Sequence, residues 1–178
     1  MINIMKQYIK EFWEDSFIRT ITQAAVLFVI MLFIMKIVLL IAFIPTESMY
    51  PTIQYPSLNI GFRGAYLFKE PQRGDIVYFR SEEMGEILIK RIVGVPGDKV
   101  EEIDGQLYIN GDLYTEPYLA EQEIEHSSGP FVVPDNCYLL MGDNRNHSYD
   151  ARYWGNPFIE RSEILAKQMI SLKIIGMG

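Results

Sequence analysis

Glu86-Ile87-Leu88-Ile89-Lys90-Arg91-Ile92-Val93-Gly94-Val95 is a β-branched, apolar run with no helical period. Successive side chains of a strand point to opposite faces, so Lys90 shares a face with Leu88 and Ile92 while Arg91 turns to the other. That is an apolar setting for an ammonium group. Arg91 reads more simply, as a strand-edge cation free to reach solvent or a carboxylate. Further short runs lie on both sides: GDIVYF (74–79), VEEI (100–103), QLYI (106–109), FVVP (131–134) and CYLLM (137–141). Turn signals bound them. Asp104-Gly105 and Asn110-Gly111 are type I′ hairpin dipeptides, and Pro96-Gly97-Asp98 and Gly142-Asp143-Asn144 mark sharp reversals. Hairpins this closely spaced predict a mostly β domain of curled antiparallel sheets, barrel-like, and not a βαβ layout.

Toward the amino terminus the pattern changes. Ile21 to Met35 reads ITQAAVLFVIMLFIM without a charge, and after Lys36 the chain resumes as IVLLIAFI up to Pro45. A hydrocarbon core of ~30 Å needs ~20 apolar residues, a length reached by adding Phe17 and Ile18 and letting Lys36 snorkel to the interface. The span is placed at 18–37. The interruption at Lys36 and the lack of a small-x-small site after the run indicate an uncleaved anchor, not a secretory signal. Lys6, Lys10 and Arg19 precede it, so the positive-inside rule puts the amino terminus in the cytoplasm. The predicted organisation is a cytoplasmic segment (1–17), a transmembrane anchor (18–37) and an extracytoplasmic β domain (38–178). Ile37 to Ile44 is too short to span and is read as the first strand. Glu121, Glu123 and Glu125 with Ser127, Ser128 and Gly129 read as a solvated loop, and Ser162 to Ile175 as a final strand or a short docked helix.

Composition narrows the chemistry. Among 178 residues there are 16 Lys and Arg against 23 Asp and Glu, a net charge of −7, the wrong sign for a broad nucleic-acid surface. A single cysteine, Cys137, and two histidines, His126 and His147, make no zinc-type ligand cluster, so no metal or cofactor is expected. Cys137 reads as a small core residue, and His126 is given no role.

Three segments carry reactive groups. Pro45-Thr46-Glu47-Ser48-Met49-Tyr50-Pro51-Thr52 follows the anchor and brings Ser48 near the outer membrane surface; alone, a serine between prolines is a turn residue. Lys90 changes that weighting. A lysine in water titrates near ~10.4 and is useless as a base at pH 7, but burial lowers that value by up to ~3 to 5 units. A shift of ~2 to 3 units costs about 3 to 4 kcal/mol, which a packed domain can sustain. Such an amine can take the proton of a serine hydroxyl and return it to a leaving amine. The third segment, Met141 to Gly155, is densely polar, and its Ser148 is placed to hydrogen-bond the lysine and aim it. Asp150 and Arg152, two apart, read as an exposed bracing pair worth under ~1 kcal/mol. A Ser-His-Asp arrangement using His147 with Asp143 or Asp150 is the competing protease reading, although His147 reads as part of a solvated loop.

In order behind an anchor, these segments resemble those of the bacterial type I signal peptidases, membrane-bound serine proteases with a Ser-Lys dyad. Residues 45–52 resemble the nucleophile box, Arg73-Gly74-Asp75-Ile76-Val77 a strand that follows it, and Lys90-Arg91-Ile92-Val93-Gly94-Val95-Pro96-Gly97-Asp98 the lysine box. Gly142-Asp143-Asn144-Arg145 through Ser148, Asp150 and Arg152 to Trp154-Gly155 resembles the last box. The resemblance implies Ser48 as nucleophile, Lys90 as general base, an oxyanion hole from the Ser48 N–H and the Thr46 hydroxyl, and Ser148 orienting Lys90. Asp143, Asp150 and Arg152 would then be structural supports. It also implies substrates that are signal peptides of exported preproteins, cut after a small residue, with shallow pockets sought among Phe43, Ile44, Met49, Ile89 and Ile92. An extended substrate would add as a strand to an exposed sheet edge. The implied location is a bacterial cytoplasmic membrane, single-pass, in contact with the lipid bilayer. Three departures stand out: Thr46 where serine is common, Ala151 where serine is frequent, and a short connection between the lysine box and the last box. Two other readings remain: a self-cleaving Ser-Lys protein, which the anchor and acidic charge oppose, and a tethered β domain serving pilus or envelope assembly.

Overall fold

The computed structural model describes residues 2–119 and 126–174 and divides between Val38 and Leu39 into two units. The first is one helix, α1 (Ile2–Val38). Its stretch Asp15–Val38, 24 residues of mean hydropathy 2.4, is long and apolar enough to cross a membrane; at ~1.5 Å per residue it exceeds a ~30 Å hydrocarbon core. Val26, Leu27, Phe28 and Val29 are all about half exposed or more. Such consecutive positions cover every side of a helix, and a helix apolar all round needs an apolar surrounding. The Thr20 and Thr22 hydroxyls donate to the carbonyls of Ser16 and Ile18, satisfying themselves within the helix. The helix is longer than the predicted span at both ends, and Lys36 falls in its last turn, where the helix dipole favours a cation.

The second unit is built from antiparallel strands. In chain order they are β1 (Leu39–Ile44), β2 (Ser57–Phe62), β3 (Ile76–Ser81), β4 (Glu86–Gly94), β5 (Lys99–Ile103), β6 (Gln106–Ile109), β7 (Asp112–Leu113), β8 (Ser128–Val132), β9 (Cys137–Met141), β10 (Phe158–Glu160) and β11 (Ile164–Lys173). One sheet has the order β1-β2-β11-β3-β4-β9-β10 and the other β7-β6-β5-β8. Both stay open, with β1 and β10 as edges of the larger, so barrel closure is not reached. The helix-to-strand change after Val38 follows the β-branched, uncharged run the sequence marked. Asp104-Gly105 and Asn110-Gly111 all take positive φ, as type I′ turns require, and join β5 to β6 and β6 to β7.

One reading changes here. Ser128 and Gly129 open β8 instead of a loop, because β5 offers them a ladder partner and Ser128 a carboxylate, Glu102. Glu121, Glu123 and Glu125 lie outside the described residues. The tail forms the longest strand, β11, inserted between β2 and β3, with a register shift between Gln168 and Ile170.

Strand alternation gives the larger sheet a core on each face. Leu40, Ile44, Met49, Ile53, Ile76, Tyr78, Ile89 and Ala166 form the smaller. Val77, Phe79, Ile92, Val93 and Leu140, with Val100 and Leu107 of the second sheet, belong to the larger, against which Cys137 is partly buried. Lys90 pairs in register with Val77 and therefore faces the side of the larger core.

Candidate active site

Beyond β1 the chain folds back in turns: the Tyr50 N–H donates to the Glu47 carbonyl at 2.8 Å and the Ile53 N–H to that of Met49 at 2.8 Å. Met49 and Ile53, 0% and 1% exposed, pin this segment into the smaller core. Ser48 is thereby held, buried, between exposed Thr46 and buried Met49. No described residue accepts a hydrogen bond from the Ser48 N–H.

Lys90 comes from β4, an interior strand flanked by β3 and β9. It is 5% exposed, and its Nζ donates to Ser48 Oγ at 2.7 Å. Loss of hydration on burial brings its pKa down to about 8; the Asp150 charge opposes this, Arg152 reinforces it and Asp143 opposes it. The setting is thus less uniformly apolar than the strand alternation suggested. Desolvation is the largest of these effects, and each of the two carboxylates is engaged by an arginine.

Those pairings differ from the sequence reading. Asp150 and Arg152 are not an exposed brace: both side chains are 0% exposed. Arg152 Nε donates to Asp150 Oδ1 at 2.8 Å and its Nη2 to Oδ2 at 3.0 Å, while the Gly142 N–H donates to Oδ2 at 2.9 Å. Burial alone would raise the Asp150 pKa, but Arg152 and the Gly142 N–H outweigh it and hold the carboxyl below the ordinary range. Arg91 is not at a sheet edge either. It grips Asp143 through Nε at 2.7 Å and Nη2 at 2.6 Å, donates from Nη1 to the Gly74 carbonyl at 2.8 Å, and lies over the Tyr118 ring at 3.9 Å.

Ser148 is buried but makes no hydrogen bond to Lys90; it packs against Gly142 near Asp150. A Cβ on Gly142 would lie 2.2 Å from Ser148 Oγ and 2.6 Å from the Ser48 carbonyl oxygen, so only glycine lets the loop approach the serine this closely. Among the pocket candidates, Ile44, Met49 and Ile89 share the smaller core and Phe43 is half exposed on edge strand β1. Ile92 is placed differently, fully buried in the larger core, because it lies an odd number of residues from Ile89 along β4.

His147 sits in an exposed position with Nδ1 3.4 Å from Glu47 Oε1, and Asp143 and Asp150 are both taken by arginines, so no Ser-His-Asp triad forms. His126 Nδ1 is 2.9 Å from Glu102 Oε2. Glu102 escaped the sequence reading. Its side chain is fully buried, 3.7 Å from Arg145 and 3.8 Å from Arg152, and Arg145 is further held by Glu116. Alternation in VEEI put Glu102 beside Val100 on the inward face, the one signal that could have found it. Nothing in YTEPY marked Glu116 or Tyr118.

An amine brought near neutrality against a buried hydroxyl, on an open β domain that follows an apolar helix, defines a candidate Ser-Lys hydrolase site. The chain belongs to the signal peptidase, peptidase S26, family, which matches residues 17–172. It is 39% identical over 134 residues to the probable signal peptidase I-2 of Synechocystis sp., covering 72% of this chain and 60% of that protein. It is 35% identical over 136 residues to the signal peptidase I of Leptolyngbya laminosa, covering 72% of this chain and 66% of that one. A solved signal peptidase I from Enterococcus faecalis superposes with a TM-score of 0.49 at 35% identity, covering 56% of this chain and 97% of that one. The chain thus spans about 60 to 66% of the length of these two relatives.

Proposed function

We propose that this protein is a membrane-bound serine endopeptidase that removes signal peptides from exported preproteins, with Ser48 as nucleophile and Lys90 as general base. The observation carrying this reading is the 2.7 Å contact between Lys90 Nζ and Ser48 Oγ at a lysine whose pKa is near 8. At pH 7 about a tenth of such lysines are neutral, against roughly one in a few thousand of ordinary ones.

The chemistry is acyl transfer. Neutral Lys90 accepts the Ser48 proton as Oγ attacks the carbonyl carbon of the scissile bond, and the ammonium so formed donates to the departing amine. Water then attacks the ester, Lys90 again takes the proton, and Ser48 is released as the alcohol. The oxyanion at each stage is held by the Ser48 N–H and the Thr46 hydroxyl; one such donor is worth ~3 to 4 kcal/mol. An extended substrate adds beside edge strand β1, where Phe43 offers an exposed apolar wall and Ile44 the rim of the smaller core.

The organisation proposed is a cytoplasmic segment at 1–17, an anchor at 18–37 and an extracytoplasmic catalytic domain at 38–178, in a single-pass orientation set by Lys6, Lys10 and Arg19. Enzyme and membrane-embedded signal segment would then meet in nearly two dimensions. The test is incubation of the detergent-solubilised full chain with a panel of secreted precursors and amino-terminal sequencing of the products. New termini following a small residue, absent with Ser48→Ala, support the reading; intact precursors throughout overturn it and leave a tethered β domain.

A further inference from the structure

Two carbonyls flank Ser48, and Asn144 holds both. Its backbone N–H donates to the Ser48 carbonyl at 3.1 Å and its side-chain Nδ2 to the Glu47 carbonyl at 3.2 Å. The Glu47 carbonyl also receives the Tyr50 N–H at 2.8 Å, which fills both its lone pairs. The Glu47–Ser48 peptide is not among the cis bonds of the described residues, so its C=O and N–H point in opposite directions. A donor gripping the Glu47 carbonyl on one side therefore aims the Ser48 N–H to the other side. That N–H has no acceptor among the described residues.

Asn144 is itself fixed. Its carbonyl accepts the His147 N–H at 2.9 Å, and two residues earlier Gly142 is held at both ends, its N–H by Asp150 and its carbonyl by Arg145 Nε at 3.1 Å. Arg145 is 2% exposed and cannot swing away without leaving Glu116 and Glu102. The loop 142–147 is a braced platform, and Asn144 is where it touches the serine segment twice.

We propose that Asn144 is a positioning residue that presets the oxyanion hole, locking the peptide planes on either side of Ser48 so that the Ser48 N–H already points at the place where negative charge develops. This rests on Ser48 being the nucleophile. Asn144 touches no reacting atom; it acts through the serine backbone. A donor fixed in advance stabilises the transition state without reorganisation, and a peptide free to rotate loses that advantage while ground-state substrate binding stays the same.

The experiment compares the full-length protein with Asn144→Ala and Asn144→Asp, both of which keep the backbone N–H and remove the side-chain donor. Because the Tyr50 N–H remains on Glu47, kcat should fall about ten- to a hundredfold, less than for loss of a direct oxyanion donor, with KM changing less than about threefold. A peptide aldehyde, which forms a tetrahedral adduct on the serine, should lose affinity in the same proportion as kcat/KM, while a cleaved product peptide binds as before. Unchanged kcat, or a kcat loss without loss of aldehyde affinity, overturns the proposal. Ser48→Ala separates the two levels: if it still turns over, the nucleophile assignment fails, whereas if it is inactive and the Asn144 variants behave as wild type, only the positioning role fails. Should neither variant fold, amide exchange on the unsubstituted protein decides: an Asn144 N–H that is slow to exchange supports the clamp, and one exchanging at the free-peptide rate overturns it.

Discussion

Lys90 Nζ lies 2.7 Å from Ser48 Oγ, a hydrogen bond between residues 42 apart in sequence. Neither group is unusual alone. Their meeting depends on β4 running between β3 and β9, which buries the lysine stem, and on Met49 and Ile53 pinning the turn that presents the serine. In the proposed mechanism, replacing either partner removes the proton path. Ser48→Ala and Lys90→Ala should each lower precursor cleavage to background in a gel assay, while His147→Ala, altering an exposed residue beside Glu47, should leave most of the rate.

The same burial has a thermodynamic signature. The unfolded chain keeps Lys90 protonated up to ~10.4, whereas the folded chain releases that proton near 8. Between these values the unfolded state binds more protons, so the Lys90 contribution to stability rises with pH across this window, by about 3 kcal/mol in all. Lys90→Met lacks the ionisable group. Its advantage in unfolding free energy over wild type should be largest below pH 8 and should shrink toward pH 10, as read by denaturant titration at each pH.

Gly142 stands where a side chain would collide with both the Ser48 carbonyl and Ser148. Gly142→Ala must push the loop or the serine segment away, at a typical overpacking cost of about 1 to 3 kcal/mol. We expect a lowered melting temperature together with a kcat loss larger than the loss of folded fraction explains.

Asp150→Ala leaves the buried Arg152 guanidinium without its bidentate partner, a change that costs about 3 to 5 kcal/mol when a buried pair is broken. It also removes the carboxylate that holds the Lys90 pKa up, while Arg152, which lowers it, remains. Whatever folded enzyme survives should show its acid-side activity limb displaced to lower pH. A displacement to higher pH would contradict the charge balance described here.

What the sequence made legible was local. Alternation in EILIKRIV placed Lys90 inward, the Asp-Gly and Asn-Gly dipeptides gave two hairpins, and an uncharged apolar run gave the helix. What it concealed was set by pairing over distance. Arg91 looked like an edge cation because nothing in its own strand announces that β9, some 50 residues later, will lie alongside. Asp150 and Arg152 looked exposed because their cover, Glu102 of β5 and the larger core around Ala151, comes from strands remote in sequence. Ser148 was expected to hydrogen-bond Lys90, yet its buried hydroxyl lies against Gly142 without that bond, a matter of loop geometry that no periodicity encodes.

The central claim is that Lys90 is neutral at a physiologically accessible pH beside Ser48. Its most direct test is NMR titration of the Lys90 side chain, labelled at Cε and assigned by comparison with Lys90→Met, in the full-length protein in lipid or detergent. A midpoint near 8, matched by the pH dependence of kcat/KM and lost from the spectrum of Lys90→Met, is the predicted result; a midpoint at the ordinary value near ~10.4 would contradict it.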